Sequence, residues 1–157
     1  MSDPIVPRSI AIPLRFLLRS AQVAFAAINA GLVGYFLKAY EGDGILGRWI
    51  YVEVLAALAI VFGVLLMVPI LHGYFVWPID IAFGLAWVAA FGTLVNALEA
   101  TECGQDITNL ECTQWKVNEA FTFLSAIAWL ITGFVGLFYV WRADQQRLGY
   151  WTGRYNV

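Results

Sequence analysis

Charge-free apolar runs divide the chain into four segments separated by breaks that are polar or rich in glycine and proline. The first run carries no charge from Ala21 to Leu37, between Arg19 and Lys38, and extends back a turn to about Phe16. From Val54 to Leu98 the only formal charge is Asp80. That stretch is too long for one crossing, since a bilayer core takes roughly 20 helical residues, but it suits two. Pro69, His72, Gly73 and Pro78 cluster inside it, and such residues end helices by removing donors and relaxing backbone limits. A last uncharged run covers Ala120 to Trp141 and stops at Arg142. The pattern predicts an all-α, four-helix transmembrane bundle as one domain over 1–157, with spans at about 16–38, 49–71, 79–98 and 117–141. The connections are a glycine-rich loop around Gly42, Gly44 and Gly47, a tight His72 to Pro78 hairpin, and a polar stretch over 99–116.

Composition agrees with lipid as the solvent. Hydrophobic residues make up 61% and charged residues 13%, too few polar groups to cover a soluble domain of this length. A net charge of −2 and the lack of any basic run set nucleic acid aside as a partner. The first twenty residues hold Pro4, Pro7 and Pro13 with three arginines and lack the apolar core of a signal peptide, so insertion is expected to rely on the first span. Arg8, Arg15 and Arg19 precede that span and Arg142, Arg147 and Arg154 follow the fourth, while the opposite loops hold only Lys38, Arg48 and Lys116. The positive-inside bias therefore predicts cytoplasmic N and C termini. Glu41, Asp43, Glu53, Glu99, Glu102, Asp106, Glu111 and Glu119 then make the outer side acidic. Aromatic residues mark the expected interfaces, with Tyr40, Trp49, Tyr51 and Trp115 outside and Tyr74, Trp77, Tyr139 and Trp141 inside.

Few residues suggest chemistry. Cys103 and Cys112 are the only cysteines and share the predicted outer loop, where an oxidising compartment favours a disulfide. Closing so short a loop is worth roughly 2–3 kcal/mol in the chain-entropy model. No Cys-x-x-Cys pair points to redox catalysis. A single histidine, His72, rules out multi-histidine metal centres and bis-histidine haem, so no metal and no cofactor is expected. Asp80 follows Pro78 and reads as a cap or first-turn residue, or as the partner of Arg19 or Arg142 in a polar contact at the cytoplasmic face.

Within the spans, Asn29 lies centrally, and Thr93, Asn96, Ser125 and Thr132 are milder polar groups. With no ionisable group near a midplane, a pump is disfavoured and Asn29 reads as interhelical glue. Small residues recur every four positions at Ala26, Ala30 and Gly34 and at Ala128, Thr132 and Gly136, stripes that allow close helix packing inside the bundle or against a neighbour. No nucleophile set, phosphate loop or carboxylate pair can be assembled, so the chain is not expected to be an enzyme.

These features together resemble the MARVEL-domain tetraspans, in particular their fungal branch related to non-classical export and eisosome proteins. The carriers are Arg19-Ser20 entering an Ala/Gly-rich first span, Asp80 opening the third, Cys103 just after it and Cys112 shortly before the fourth. The segment from Glu119 through Phe121, Phe123, Ser125, Ala126 and Trp129 is similar to that family's last helix. Thr113, Gln114 and Trp115 depart from the fungal pattern, in which basic residues often follow the second cysteine. The resemblance implies a non-enzymatic organiser of plasma-membrane microdomains or trafficking that associates laterally with itself, with other membrane proteins and with membrane lipids. The alternative is an accessory subunit of a larger membrane complex, such as a transporter or respiratory assembly.

Overall fold

The computed structural model describes residues 8–39, 46–68, 76–100 and 109–152. They form four helices: α1 (Arg8–Ala39), α2 (Leu46–Met67), α3 (Val76–Ala100) and α4 (Asn109–Thr152). Each contains a segment long and apolar enough to cross a bilayer. The protein is a multi-pass integral membrane protein with an all-α, four-helix fold. Only 22–28% of an apolar 18-residue stretch in each helix is buried inside the bundle, so the remaining apolar surface needs a hydrocarbon solvent. The hairpin around His72, the glycines at Gly42 and Gly44, and Cys103 lie outside the described residues.

The helix boundaries follow local chemistry. α2 stops at Met67 rather than at 71, because the residue before Pro69 is steered away from helical dihedrals. Its last turn tightens, with Val68 N donating to Leu65 O at 3.2 Å. α3 begins at Val76, upstream of Pro78, because a proline in the first turn removes a donor that has no helical acceptor there. Asp80 consequently sits in the second turn and is not the cap. α1 also contains Pro13, but as its sixth residue, beyond the first turn, where the missing N–H forgoes one helical hydrogen bond.

The largest departure concerns α4, which spans 44 residues, about 66 Å at the α-helical rise. It begins at Asn109, inside the stretch expected to be loop, and continues past Arg142. The expected span 117–141 is only its apolar middle. Cys112 is therefore a helical residue.

The helices form a closed ring in which α1 touches α2 and α4, and α3 touches α2 and α4. Successive helices run up and down, so α1 starts and α4 finishes at one end, here called the terminal end. The buried positions of α1 are Arg19, Gln22, Ala26, Asn29, Val33 and Phe36. Their alternating three- and four-residue spacing is that of a coiled-coil seam. α4 answers with Trp115, Asn118, Thr122, Ser125 and Trp129 at the same alternation.

Close approach between α3 and α4 depends on glycines. A Cβ on Gly84 would lie 2.6 Å from Leu130 Cδ2, one on Gly133 2.7 Å from Ile81 Cγ1 and 3.0 Å from its backbone N, and one on Gly136 2.9 Å from Trp77 Cβ. Gly63 of α2 admits Val23 of α1 in the same way, at 2.6 Å. Without hydrophobic drive between helices in lipid, such fitted contacts supply much of the association.

Candidate functional site: a polar seam and a crevice at the terminal end

Arg19 is the hub. Its guanidinium holds the Asp80 carboxylate with both forks, Nη1 to Oδ1 at 2.8 Å and Nη2 to Oδ2 at 2.6 Å, and both residues are buried. Nη1 also donates to Gln22 Oε1 at 2.9 Å. Gln22 Nε2 passes the connection to α4, donating to Ala128 O at 3.0 Å and Thr132 Oγ1 at 2.9 Å. Beneath the guanidinium lies Trp129, its ring centroid 5.3 Å from Arg19 Cζ, and Phe83 of α3 stacks on Trp129 at 4.6 Å. One side chain thus ties α1 to α3 by charge and to α4 by a relayed hydrogen bond and a cation–π contact. Planar geometry makes this a task for arginine, since lysine offers neither the fork nor the stacking face.

Arg142 takes no part in the pair. Thr132 is level with Gln22, and Arg142 lies ten residues further along α4, about 15 Å toward the terminal end at 1.5 Å per residue. The expectation that Asp80, Arg19 and Arg142 share one depth is corrected by that offset.

A second polar level lies mid-bundle. Asn29 Nδ2 reaches Ser125 Oγ at 3.4 Å, and the single Thr122 O–H is shared between Asn118 O at 2.8 Å and Asn29 Oδ1 at 3.2 Å. Asn118 is fully buried, and neither of its side-chain polar atoms has a partner among the described residues. Thr93 satisfies itself by donating to Ala90 O, and Asn96 is exposed.

The opposite end is closed by aromatic rings rather than by charge. Trp49 stands 4.8 Å from both Phe36 and Trp115, centroid to centroid, and all three are buried. Trp49 and Trp115 are therefore core residues and not headgroup anchors. Tyr51 also departs from the belt, its hydroxyl donating to Ala86 O of α3 at 3.1 Å. Cys112, one turn from Trp115, is buried and is not a free thiol.

The small-residue stripes divide. Ala26 is buried and Ala30 packs on the core, but Gly34 faces outward, where an added Cβ would meet nothing within 4 Å. A four-residue repeat advances about 40° per step on a 3.6-residue helix, which carries Gly34 off the buried seam. On α4, Ala128 and Thr132 receive Gln22 and Gly136 meets Trp77, so that stripe packs inside the bundle. The 19, 22, 26, 29 spacing could have exposed Gln22 as a member of the seam; Gly84 and Gly133 carry no comparable sequence signal.

Next to the ion pair, α1, α3 and α4 line a partly open crevice of about 340 Å³. Its polar lining comes from Arg15, Arg19, Asp80, Thr132 and Tyr139, and its apolar walls include Leu18, Val76, Trp77, Val135 and Val140. No group of three or more metal-ligating side chains occurs among the described residues.

The family model for MARVEL, a membrane-associating domain, matches residues 12–135. The chain belongs to the MARVEL family. The match takes in α1 from Ile12, all of α2 and α3, and α4 as far as Val135, and so contains the Arg19–Asp80 pair, the Asn29 level and the aromatic cluster of this MARVEL domain. Members of this family are generally non-enzymatic membrane proteins. No curated protein matches the chain significantly.

Proposed function

We propose that this MARVEL domain organises plasma-membrane microdomains or traffic by lateral assembly, with both termini in the cytoplasm and no catalytic step. The observation that carries this reading is the lipid-facing side of α1. Ala27, Gly31 and Gly34 are exposed there, and a Cβ on either glycine would meet nothing within 4 Å. Glycine is a poor helix former, so glycines that admit no neighbour within their own bundle leave the helix backbone open to a second helix. The interior supports the same reading, because Arg19, Gln22 and Asn29 of α1 spend their polar groups on α3 and α4. Membership of the fungal export and eisosome branch rests on Arg19-Ser20, Asp80, Cys103 and Cys112. We further infer a Cys103–Cys112 bridge bracing the start of α4.

Gly31→Leu and Gly34→Leu test the assembly. Each should leave the protein folded and inserted, yet shift purified particles in mild detergent toward monomer by native mass analysis and disperse patches in cells. Unchanged oligomers and patches in both variants would refute the assignment of α1. Stoichiometric copurification with a large unrelated membrane protein would instead favour an accessory-subunit role.

A further inference from the structure

The crevice at the terminal end combines two features that structural packing alone does not require. Arg15 lines it, is exposed, and forms no ion pair with any described residue. Arg19 lines it as well and is 9% exposed, yet its hydrogen bonds engage three of the five guanidinium N–H groups: two on Nη1 and one on Nη2. Asp80, the only acid among the described lining residues, is already neutralised by Arg19, so the described lining carries a net positive charge through Arg15. Beside these donors stand the aliphatic walls of Leu18, Val76, Val135 and Val140.

We propose that this crevice is a binding site for one anionic phospholipid drawn from the leaflet at the terminal end. The headgroup phosphate is held by Arg15 and by the unengaged N–H groups of Arg19, and the adjoining glycerol and upper acyl chain lie against the aliphatic wall. Charge complementarity selects an anion, because Arg15 has no counter-ion among the described residues and planar guanidinium groups match phosphate oxygens. Size and lining select a lipid over free phosphate. The volume falls in the range of small-molecule sites, roughly 300–1,000 Å³, and most of its wall would be wasted on a hydrated inorganic ion. This site does not depend on the assembly proposed above, since it lies between helices of a single chain.

Native mass spectrometry of the full chain in detergent, titrated with dioleoyl phosphatidylglycerol, dioleoyl phosphatidylcholine or inorganic phosphate, provides the test. One phosphatidylglycerol should be retained per chain, at least about tenfold more tightly than phosphatidylcholine, and inorganic phosphate at millimolar concentration should not displace it. Arg15→Gln should weaken phosphatidylglycerol binding by about tenfold while leaving thermal stability unchanged, because Arg15 is exposed and has no hydrogen bond or ion pair among the described residues. Val140→Trp, which fills the crevice from its apolar side with every charge in place, should also lower retention. Equal retention of the two lipids, displacement by free phosphate, or unaltered binding in both variants would overturn the proposal. Lipid per chain is read separately from oligomer size, so loss of this site and loss of lateral assembly are distinguishable.

Discussion

Removing one partner of the Arg19–Asp80 pair should be far more damaging than removing both. In Arg19→Met, Asp80 keeps its buried position between α1 and α4 but loses both fork bonds. An uncompensated buried charge of this kind costs about 3–5 kcal/mol. The lost contact over Trp129 adds about 1 kcal/mol. Asp80→Leu should cost less, about 2–3 kcal/mol, because the guanidinium retains Gln22 Oε1 and the Trp129 face and borders the crevice. Arg19→Met with Asp80→Leu leaves no charge behind, and its cost should fall to about 1–2 kcal/mol, from the cation–π contact and the Gln22 acceptor left unused.

A double-mutant cycle isolates the coupling, about 6 kcal/mol from these figures. Reversible unfolding in mixed micelles with rising dodecyl sulfate, followed by near-ultraviolet circular dichroism, supplies the four stabilities. Additive single effects, or single variants each within about 1 kcal/mol of the parent, would refute the clamp. Additivity would mean that unfolded helices in the micelle find equivalent partners, the effect that makes many intramembrane hydrogen bonds weak.

Four further outcomes are expected. Gly133→Leu should destabilise by about 2–3 kcal/mol through overpacking on Ile81, whereas Gly92→Ala, at a position where a Cβ meets nothing within 4 Å, should stay within about 0.5 kcal/mol in the same unfolding assay. Intact-mass analysis without reductant should show a chain lighter by two hydrogens, and free thiols or a disulfide-linked dimer as the main species would remove the Cys103–Cys112 bridge. Cysteines placed at Asp3 and Asn156 should resist an impermeant reagent on intact cells while one at Asp43 reacts, and labelling of either terminus would reverse the orientation. Hydrogen exchange in detergent should be fastest in α2, whose one polar tie to another helix among the described residues is Tyr51 to Ala86 O, and faster exchange in α3 would contradict that ranking.

The four spans were legible because the bilayer imposes a length and an apolar composition that hydropathy reads directly. The same criterion is blind to helix outside hydrocarbon. Residues 109–116, Asn-Leu-Glu-Cys-Thr-Gln-Trp-Lys, are mostly polar and carry the pattern of a loop, although they form the first two turns of α4. Pro78 misled for a related reason, since proline breaks a helix interior but fits its first turn. Belt statistics assigned Trp49 and Trp115 to the headgroups, yet depth along a helix does not determine which way a side chain points; the seam positions do. Asp80 had two candidate arginines in sequence, and choosing between them requires the relative depth of α1 and α4, which no single helix encodes.

That relative depth follows from three levels of contact acting together. In lipid, burying apolar side chains between helices gains little over leaving them in hydrocarbon, so register has to come from directional bonds and fitted shapes. α1 presents Arg19 and Gln22 at one level, Asn29 at the next and Phe36 at the last, and α3 and α4 answer with Asp80 and Thr132, then Ser125 and Thr122, then Trp115. A slip of α1 by one turn, about 5.4 Å, would break all three levels at once, because each contact is shorter than or close to that step. Gly84, Gly133 and Gly136 fix α3 against α4 by a different means, since each admits a neighbouring residue where a Cβ would collide. The two mechanisms meet at Asp80 and Ile81, consecutive residues of which one holds Arg19 and the other packs on Gly133. A bulky residue at Gly133 would therefore push on the backbone that aims the Asp80 carboxylate, coupling helix spacing to the charge clamp within a single turn of α3.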